Sequence, residues 1–319
     1  MSGGRGEFDL IARYFAPLAG PEGLGLADDA ALMPGPPDGE VLVVTCDTMV
    51  AGVHFLPDDP ADAIGHKLLA VNLSDLAAMG ATPSCYLLAT SWPSPPDDAW
   101  LTGLTDGLRR MQEAYGIRLI GGDTTRTGGP LTLTLTAIGH VGAKFAMRRS
   151  TARAGDPIFV SGTIGDAALA LCFTGNGASP FLRERLLRPT PRVALGRALH
   201  GIATAAMDVS DGLIGDLVHI AEQSKVGAVV DAAKVPLSEE AAAMLAADPE
   251  LMRTVLGGGD DYELLFTAAP EDRAAVMAAA AATATAVTEI GLTRAAQGVV
   301  VLDRSGEPLA LDETGFRHF

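Results

Sequence analysis

Cysteines and paired histidines are scarce in this sequence, which argues against two common kinds of site. Its 319 residues include three cysteines, Cys46, Cys85 and Cys172, an odd number without C-x-x-C spacing. A disulfide framework is therefore not expected, and reduced thiols predict a cytoplasmic protein. The six histidines show no H-x-x-x-H or H-E-x-x-H spacing, so a zinc site is not expected either.

Basic residues and the common nucleotide-binding motifs are also lacking. The chain has 23 Lys and Arg against 39 Asp and Glu, a net charge of −16. Because nucleic-acid binding depends on Lys and Arg contacts to phosphate, no nucleic-acid partner is expected. The sequence contains no Gly-Lys pair, and therefore no Walker-type loop, and no H-R-D or D-F-G motif of a protein kinase. An acidic chain can still bind anionic substrates when metal ions lie between them.

Long apolar runs are missing as well. The longest uncharged Ala-rich run, residues 274–288, is shorter than the roughly 20 residues of a membrane span, and it predicts a surface helix followed by a strand. The N-terminal residues are interrupted by Glu7, Asp9 and Arg13, which does not predict a signal peptide. No membrane partner is therefore expected.

Strand and helix patterns alternate along the chain, which predicts an α/β fold. "EVLVVTCDTMV" and the period-two "LTLTLTAIGHV" predict strands, and residues 7–18 and 97–115 predict helices. "DAIGHKLLAVNLSDLAAMG" predicts a helix that ends at Gly80. A polar segment with glycine and proline at 148–157 predicts two domains, residues 1–150 and 151–319.

Aspartates recur in apolar or glycine-rich surroundings. They are Asp28, Asp47, Asp75, Asp123, Asp208 and Asp211. Carboxylates are rarely buried unless they are paired or bind metal, and two of them ~4 Å apart repel by roughly 4 kcal/mol at an effective dielectric constant near 20. If they converge, hard oxygen ligands without His or Cys favour Mg²⁺ or Ca²⁺. Singly, each has another explanation: Asp211 as a helix N-cap, Asp28 as a turn residue, Asp75 as helix surface.

Glycine-rich segments lie beside some of these acids. "IGGDTTRTGG" and "LGGGDDYE" place flexible backbone next to carboxylates, and such segments can approach phosphate closely. Generic glycine loops are weak evidence by themselves. Together with the acids they favour phosphate binding through Mg²⁺.

The ordered motifs of the chain resemble those of the thiamine-monophosphate kinase family. The matching segments are "ADDAA", "TCDTMVAGVHF", "KLLAVNLSDLAAMGATP", "LIGGDTTR", "DVSDGL" and "GGDDYELLF", with "GFRHF" at the C-terminus. The resemblance implies the two-domain aminoimidazole ribonucleotide synthetase-like fold, with an N-terminal mixed sheet that forms a homodimer and a C-terminal α/β domain that completes the active site. It also implies transfer of phosphate from ATP to thiamine monophosphate, giving thiamine diphosphate. No general base is expected.

The same resemblance implies roles for individual residues. The implied Mg²⁺ ligands are Asp28, Thr45, Cys46 through its backbone, Asp47, Asp75, Asp123, Asp208 and Asp211. The implied ATP contacts are Gly122, Asp123, Arg149 and Ser210, and the implied substrate contacts are His54, Glu263 and Phe316. Two positions depart from the family pattern: Ala27 replaces a glycine, and Cys46 stands where Thr is common.

Alternatives remain open at this stage. His54 can be an ordinary surface or core histidine, Glu263 a solvated strand residue next to Tyr262, and Phe316 an exposed aromatic. An ATP-dependent synthetase of the same superfamily, acting on a purine precursor or on selenide, is a second hypothesis. The lack of a cysteine before Cys46 counts against the selenide enzyme. A non-catalytic cation- or nucleotide-binding regulator with the same fold is a third.

Overall fold

The computed structural model describes residues 7–173, 179–310 and 315, which fall into two compact units. The first unit comprises residues up to 76 together with 82–143, and the second comprises 77–81 together with the residues from 144 onward. Phe316 lies outside the described residues. No helix in the described part of the chain is long and apolar enough to cross a membrane. Cys46, Cys85 and Cys172 are all free thiols, as predicted.

The first unit contains a four-stranded sheet of order β1-β4-β2-β3, in which β1 and β3 are the edge strands. Strand β4 is antiparallel to β1 and β2, whereas β2 and β3 are parallel. The elements are α1 (Glu7–Leu10), β1 (Glu40–Val50), α2 (Ala61–Ala78), β2 (Thr82–Trp92), α3 (Asp98–Tyr115), β3 (Arg118–Arg126) and β4 (Thr132–Gly142).

Sheet and helices of the first unit share one buried face. Along β4 every second residue is buried, as its alternation of Leu and Thr predicts. Gln112 of α3 donates a hydrogen bond to the hydroxyl of Tyr86 on β2, and Trp100 of α3 contacts Trp92 edge to face. The helices therefore cover the face that carries the buried leucines of β4, and the opposite face stays open.

Glycines allow α2 and α3 to pack unusually closely. A Cβ atom added at Gly65 of α2 would lie 2.1 Å from the carbonyl oxygen of Leu104, and one at Gly107 of α3 would lie 2.1 Å from that of Asp62. No side chain fits in either place, so the two backbones touch directly.

The predicted N-terminal helix is not regular, and this prediction was wrong. Residues 7–18 form a single α-helical turn, α1, followed by a π-helical turn at Ile11–Phe15 and a 3₁₀ turn at Ala16–Leu18. Pro17 lacks the amide that a continuous helix needs at this point. The apolar pattern is nevertheless used, since Tyr14, Phe15 and Leu18 are buried.

The second unit contains a six-stranded mixed sheet of order β10-β7-β9-β5-β8-β6. Its strands are β5 (Pro157–Ser161), β6 (Ala203–Asp208), β7 (Gly227–Asp231), β8 (Leu264–Ala268), β9 (Val287–Arg294) and β10 (Gly298–Leu302). Its helices are α4 (Asp166–Cys172), α5 (Pro180–Leu187), α6 (Val193–Ala198), α7 (Leu213–Ser224), α8 (Glu239–Ala247), α9 (Met252–Gly257) and α10 (Arg273–Ala282). Buried aliphatic residues from β5, β6, α7 and α9 form its core.

Candidate active site

One group of predicted ligands lies on β1 and α2 of the first unit. The hydroxyl of Thr45 donates a short hydrogen bond to the carboxylate of Asp75. Asp47 lies two residues after Thr45 and therefore on the same, helix-covered side of the strand. Cys46 points to the open side and is exposed, so it can contribute to this group only through its backbone.

This group offers oxygen ligands that suit a hard cation. Asn72 and Asp75 are three residues apart on α2 and therefore lie on one helix face. The side-chain oxygen of Asn72 is buried without a hydrogen-bond partner. Buried oxygens of this kind normally have a partner, and carboxylate, amide and hydroxyl oxygens are ligands that Mg²⁺ accepts. The residues present thus fit the metal that the sequence predicts.

A second group lines a cavity of about 770 Å³ on the open side of the first sheet. Asp28, Gly122 and Asp123 belong to its wall, and both aspartates are exposed. Apolar side chains form much of the remaining lining, including those of Ile11, Phe15, Leu26, Met33, Leu87 and Ile120. The cavity therefore combines carboxylates with a surface able to contact a flat apolar ring system.

Gly122 allows close contact between β3 and β2. A Cβ atom added there would lie 1.9 Å from the carbonyl oxygen of Leu88, so no side chain fits. That the "IGGD" segment also approaches a phosphate closely stays a prediction.

The register of the sheet separates Asp47 from Asp123 within one chain. Asp47 pairs with Leu135, which pairs with Leu88, and Leu88 pairs with Gly122. At about 4.8 Å per strand, this row spans ~14 Å from one edge of the sheet to the other. Asp47 and Asp123 of the same chain therefore cannot ligate the same ion. In the described residues no three His, Cys, Asp or Glu side chains gather closely enough to form a metal site on their own.

His54 is held in a local turn after β1. Its Nδ1 accepts a hydrogen bond of 3.0 Å from the amide of Val50, and its carbonyl accepts one of 3.4 Å from Lys67. The ring is half-buried. This fixes the ring orientation, while its contact with substrate stays a prediction.

In the second unit, Asp208, Ser210 and Asp211 lie on one loop between β6 and α7. Asp208 is buried at the end of β6, and the other two side chains are half-buried. The alternative explanation of Asp211 as a helix N-cap was wrong: α7 begins at Leu213, and the residue before it is Gly212.

Asp216, from the first turn of α7, instead binds the main chain that precedes the helix. Its Oδ2 accepts hydrogen bonds from the amides of Ser210, Asp211 and Gly212 at 3.0, 3.1 and 3.2 Å. Burial, reinforced by the nearby carboxylate of Asp211, raises the pKa of Asp216 to about 7, and the three amides oppose that rise. The sequence analysis assigned Asp216 no role, although an aspartate in the first turn of a helix is a recognisable signal for binding the terminal amides.

Arg149 lies at the other end of α7. Its carbonyl oxygen accepts a hydrogen bond of 2.7 Å from the hydroxyl of Ser224, the last residue of the helix. A helix of 12 residues is about 18 Å long. Arg149 and Ser210 therefore cannot bind the same phosphate oxygen within one chain, and the Arg149 side chain itself is exposed.

Glu263 belongs to a buried ion-pair network. Its side chain has no exposed surface, and its oxygens accept hydrogen bonds from Arg185 at 2.9 Å, from the Arg192 Nε at 2.6 Å and from Ser161 at 2.5 Å. The prediction that Tyr262 and Glu263 alternate in a strand was wrong, because β8 begins at Leu264 and Tyr262 has a positive φ of 51°. The burial leaves Glu263 little opportunity to touch a substrate directly; it holds the two arginines.

Two further buried carboxylates complete this network. Asp166 accepts hydrogen bonds from Arg185, Thr163 and Ser238. Burial, reinforced by the charges of Asp166 and Glu263, raises the pKa of Asp261 well above its usual value, against the opposing influence of the Gly165 amide and Arg185. Neither Arg185 nor Arg192 was predicted from the sequence as a partner of Glu263. The available signal was an aspartate inside the apolar "TIGDAALAL", since a buried acid requires a cationic or hydrogen-bonding partner.

Comparison with known proteins places this chain in a recognised class. The N-terminal domain of AIR synthase related proteins matches residues 27–141, and the C-terminal domain of the same proteins matches residues 153–304. The two domain matches together identify the chain as an AIR synthase related protein. Thiamine-monophosphate kinase of Escherichia coli K12 is 44% identical over 98% of this chain and 98% of its own. The chain belongs to the thiamine-monophosphate kinase family.

Solved structures agree with this assignment. The crystal structure of thiamine-monophosphate kinase from Stenotrophomonas maltophilia K279a is 48% identical, covers 89% of this chain and 91% of its own, and has a TM-score of 0.81. A structure of AaThiL complexed with AMPPCP and TMP is 30% identical, covers 98% of this chain and 97% of its own, and has a TM-score of 0.78. The predicted fold class and family are therefore confirmed.

Proposed function

We propose that this chain transfers the γ-phosphate of ATP to thiamine monophosphate, giving ADP and thiamine diphosphate. The observation that carries the proposal is the cavity that combines Asp28, Gly122 and Asp123 with an apolar lining. The apolar lining suits the base of ATP, and the carboxylates suit the cations that accompany its phosphates. The relative that was solved with AMPPCP and TMP supports the same pair of substrates.

The acceptor makes a general base unnecessary. A phosphate monoester has a second pKa near 6 and is largely a dianion at pH 7, so it is already nucleophilic. The difficulty is that it must approach another polyanion. Mg²⁺, when bound, would reduce this repulsion and stabilise the charge that spreads over the transferred oxygens. The residues proposed to hold several Mg²⁺ ions are Asp28, Thr45, Cys46 through its backbone, Asp47, Asp75, Asp123, Asp208 and Asp211.

Other residues would bind and orient the two substrates. The Ser210 hydroxyl and the Arg149 guanidinium are proposed to contact ATP phosphates, and because they lie at opposite ends of α7 they would contact different phosphate oxygens. His54, fixed through its Nδ1, is proposed to contact thiamine monophosphate. Phe316 is kept as a predicted contact outside the described residues. Glu263 is proposed to act through Arg185 and Arg192, since its own oxygens are occupied.

A homodimer is proposed from the first sheet. Val44 and Leu42 of β1 and Leu87 of β2 are apolar yet 59%, 48% and 37% exposed. Together with the edge strand β1, they support burial against a second copy. Light scattering after size-exclusion chromatography is expected to give twice the 32.8 kDa chain mass. Val44→Asp should give the monomer mass; a monomeric native chain would contradict the proposal.

The enzyme is proposed to work in the cytoplasm. The three free thiols support a reducing compartment. The net charge of −16 supports the expectation that nucleic acid is not a partner.

The activity has a direct test. The protein is mixed with ATP and Mg²⁺ and either thiamine monophosphate or unphosphorylated thiamine, and release of ADP is followed. ADP is expected only with the monophosphate, because the unphosphorylated alcohol lacks the ionised nucleophile. EDTA should abolish the activity and excess Mg²⁺ should restore it. ADP release that needs neither the monophosphate nor the metal would contradict the proposal.

A further inference from the structure

Asp216, in the first turn of α7, binds the main chain of the loop between β6 and α7. A single carboxylate oxygen accepts the amides of Ser210, Asp211 and Gly212, and only 1% of the residue is exposed. Two of these amides, those of Ser210 and Asp211, belong to the loop before α7, and the third is that of Gly212, the residue directly before the helix. In this protein they point inward, to a carboxylate of the same chain.

The other side of the loop is held by the segment before β8. The amide of Tyr262 donates to the carbonyl of Val209 at 2.8 Å, and the amide of Asp260 donates to that of Ser210 at 2.9 Å. A Cβ atom added at Gly259 would lie 2.0 Å from the Ser210 carbonyl oxygen. The glycine is therefore needed for this contact.

Gly212 closes the loop against α9. Its φ is +135°, and a Cβ atom added there would lie 2.5 Å from the carbonyl oxygen of Gly257. The main chain of residues 209–212 is thus held between Asp216 on one side and residues 257–262 on the other. The amides of Ser210, Asp211 and Gly212 and the carbonyls of Val209 and Ser210 are hydrogen-bonded within the chain. The side chains of Ser210 and Asp211 are therefore the groups of this loop that can contact a ligand.

We propose that Asp216 is a positioning residue for nucleotide binding: by taking the three amides, its carboxylate fixes the loop so that Ser210 and Asp211 meet ATP and its metal through their side chains. This inference rests on the proposed function.

The test compares Asp216→Asn and Asp216→Ala with the native chain. Asn keeps one oxygen acceptor at the same place but has no charge to hold three amides, whereas Ala removes the acceptor. Asp231→Asn is the matched control, because Asp231 also accepts a backbone amide, that of Ala233, after strand β7 on the far side of the same sheet. Calorimetry gives the Kd of AMPPCP with Mg²⁺, kinetics gives KM for each substrate, and thermal unfolding gives stability.

For Asp216→Asn we expect Kd for AMPPCP and KM for ATP to rise about tenfold, with KM for thiamine monophosphate within twofold of the native value. Asp216→Ala should show a larger rise, and Asp231→Asn none. Such a split between substrates is not what general destabilisation produces.

Three outcomes would overturn the inference. One is native AMPPCP affinity in a folded Asp216→Asn chain. Another is an equal rise in both KM values together with a lower unfolding temperature. The third is failure of Asp216→Asn to fold, which would assign the residue to stability alone. A native chain that binds AMPPCP but does not phosphorylate thiamine monophosphate would instead contradict the proposed function and leave the affinity comparison intact.

Discussion

Asp28 and Asp123 are exposed on the wall of an open cavity in the first unit, whereas Glu263 of the second unit has no exposed surface at all. The cavity acids lie where added cations can reach them. Glu263 is already neutralised by Arg185 and Arg192. Acid-rich motifs of similar appearance therefore serve two purposes: some carboxylates are exposed where a ligand can reach them, and others pair with arginines inside the second unit.

The first variant, Asp47→Asn, tests whether carboxylates of the first unit bind the metal, and we expect it to give the greatest change of all. Asp47→Asn removes a charge next to Thr45 and Asp75 while keeping the shape of the side chain. We expect kcat to fall about a thousandfold, or roughly 4 kcal/mol of transition-state stabilisation, with the unfolding temperature within a few degrees of native. ADP release and thermal unfolding measure the two quantities.

Asp106→Asn is the matched control in the same unit. Asp106 pairs with Arg109 on the surface of α3, and its loss should leave kcat unchanged. If Asp47→Asn also leaves kcat unchanged, Asp47 is not a metal ligand and the first unit loses the role assigned to it.

The second variant, Glu263→Gln, tests whether the buried carboxylate of the second unit stabilises the fold. Glu263→Gln leaves Arg185 and Arg192 buried without their shared anion. Breaking a buried ion pair by removing one partner costs about 3–5 kcal/mol, so the free energy of unfolding should fall by that order. Urea unfolding gives the value.

Glu289→Gln provides the contrast, since Glu289 forms a pair with Arg273 on the surface of the same unit. It should change the unfolding free energy by less than about 1 kcal/mol. Equal losses in the two variants would show that burial does not distinguish these pairs.

The smallest effect concerns the pH dependence of stability. Because burial raises the pKa of Asp261 above its unfolded value, its contribution is fully present below the unfolded pKa and is lost as pH rises through the folded pKa. Asp261→Asn stays neutral at every pH. The unfolding free energy of the native chain minus that of the variant should therefore decline as pH rises.

Asp303 supplies a control of opposite sign. Hydrogen bonds, first that from the Ser305 hydroxyl, lower the pKa of Asp303. Its contribution is therefore present above the unfolded pKa and is lost as pH falls through the folded pKa, and Asp303→Asn should remove it. The same slope in both variants would contradict the assignment of these pKa shifts.

Local patterns predicted the regular elements well. The Leu and Thr alternation of β4 and the glycine that ends α2 are read within one turn or one strand, and both appear as expected; Gly80 has a φ of +70°. The family motifs likewise predicted the fold class, because the motif order covers nearly the whole chain. The helix at residues 7–18 failed because its apolar spacing is also compatible with tighter and wider turns.

The partners of the buried acids could not be predicted in the same way. Arg192 and Glu263 are 71 residues apart, and no local spacing indicates that they meet. Asp216 lies close to the loop that it binds, but several donors and acceptors compete there, and only the backbone geometry shows that Asp216, and not Asp211, accepts the amides.

The close packing of α2 and α3 at Gly65 and Gly107 restricts how this sequence can vary. At either position even a methyl group would push two helix backbones apart, so an accepted replacement needs a shift of a whole helix. A saturation library should therefore show both positions as intolerant although neither glycine bears a functional group. Such intolerance would reflect the packing of the two helices and would not indicate a catalytic or binding role for either glycine.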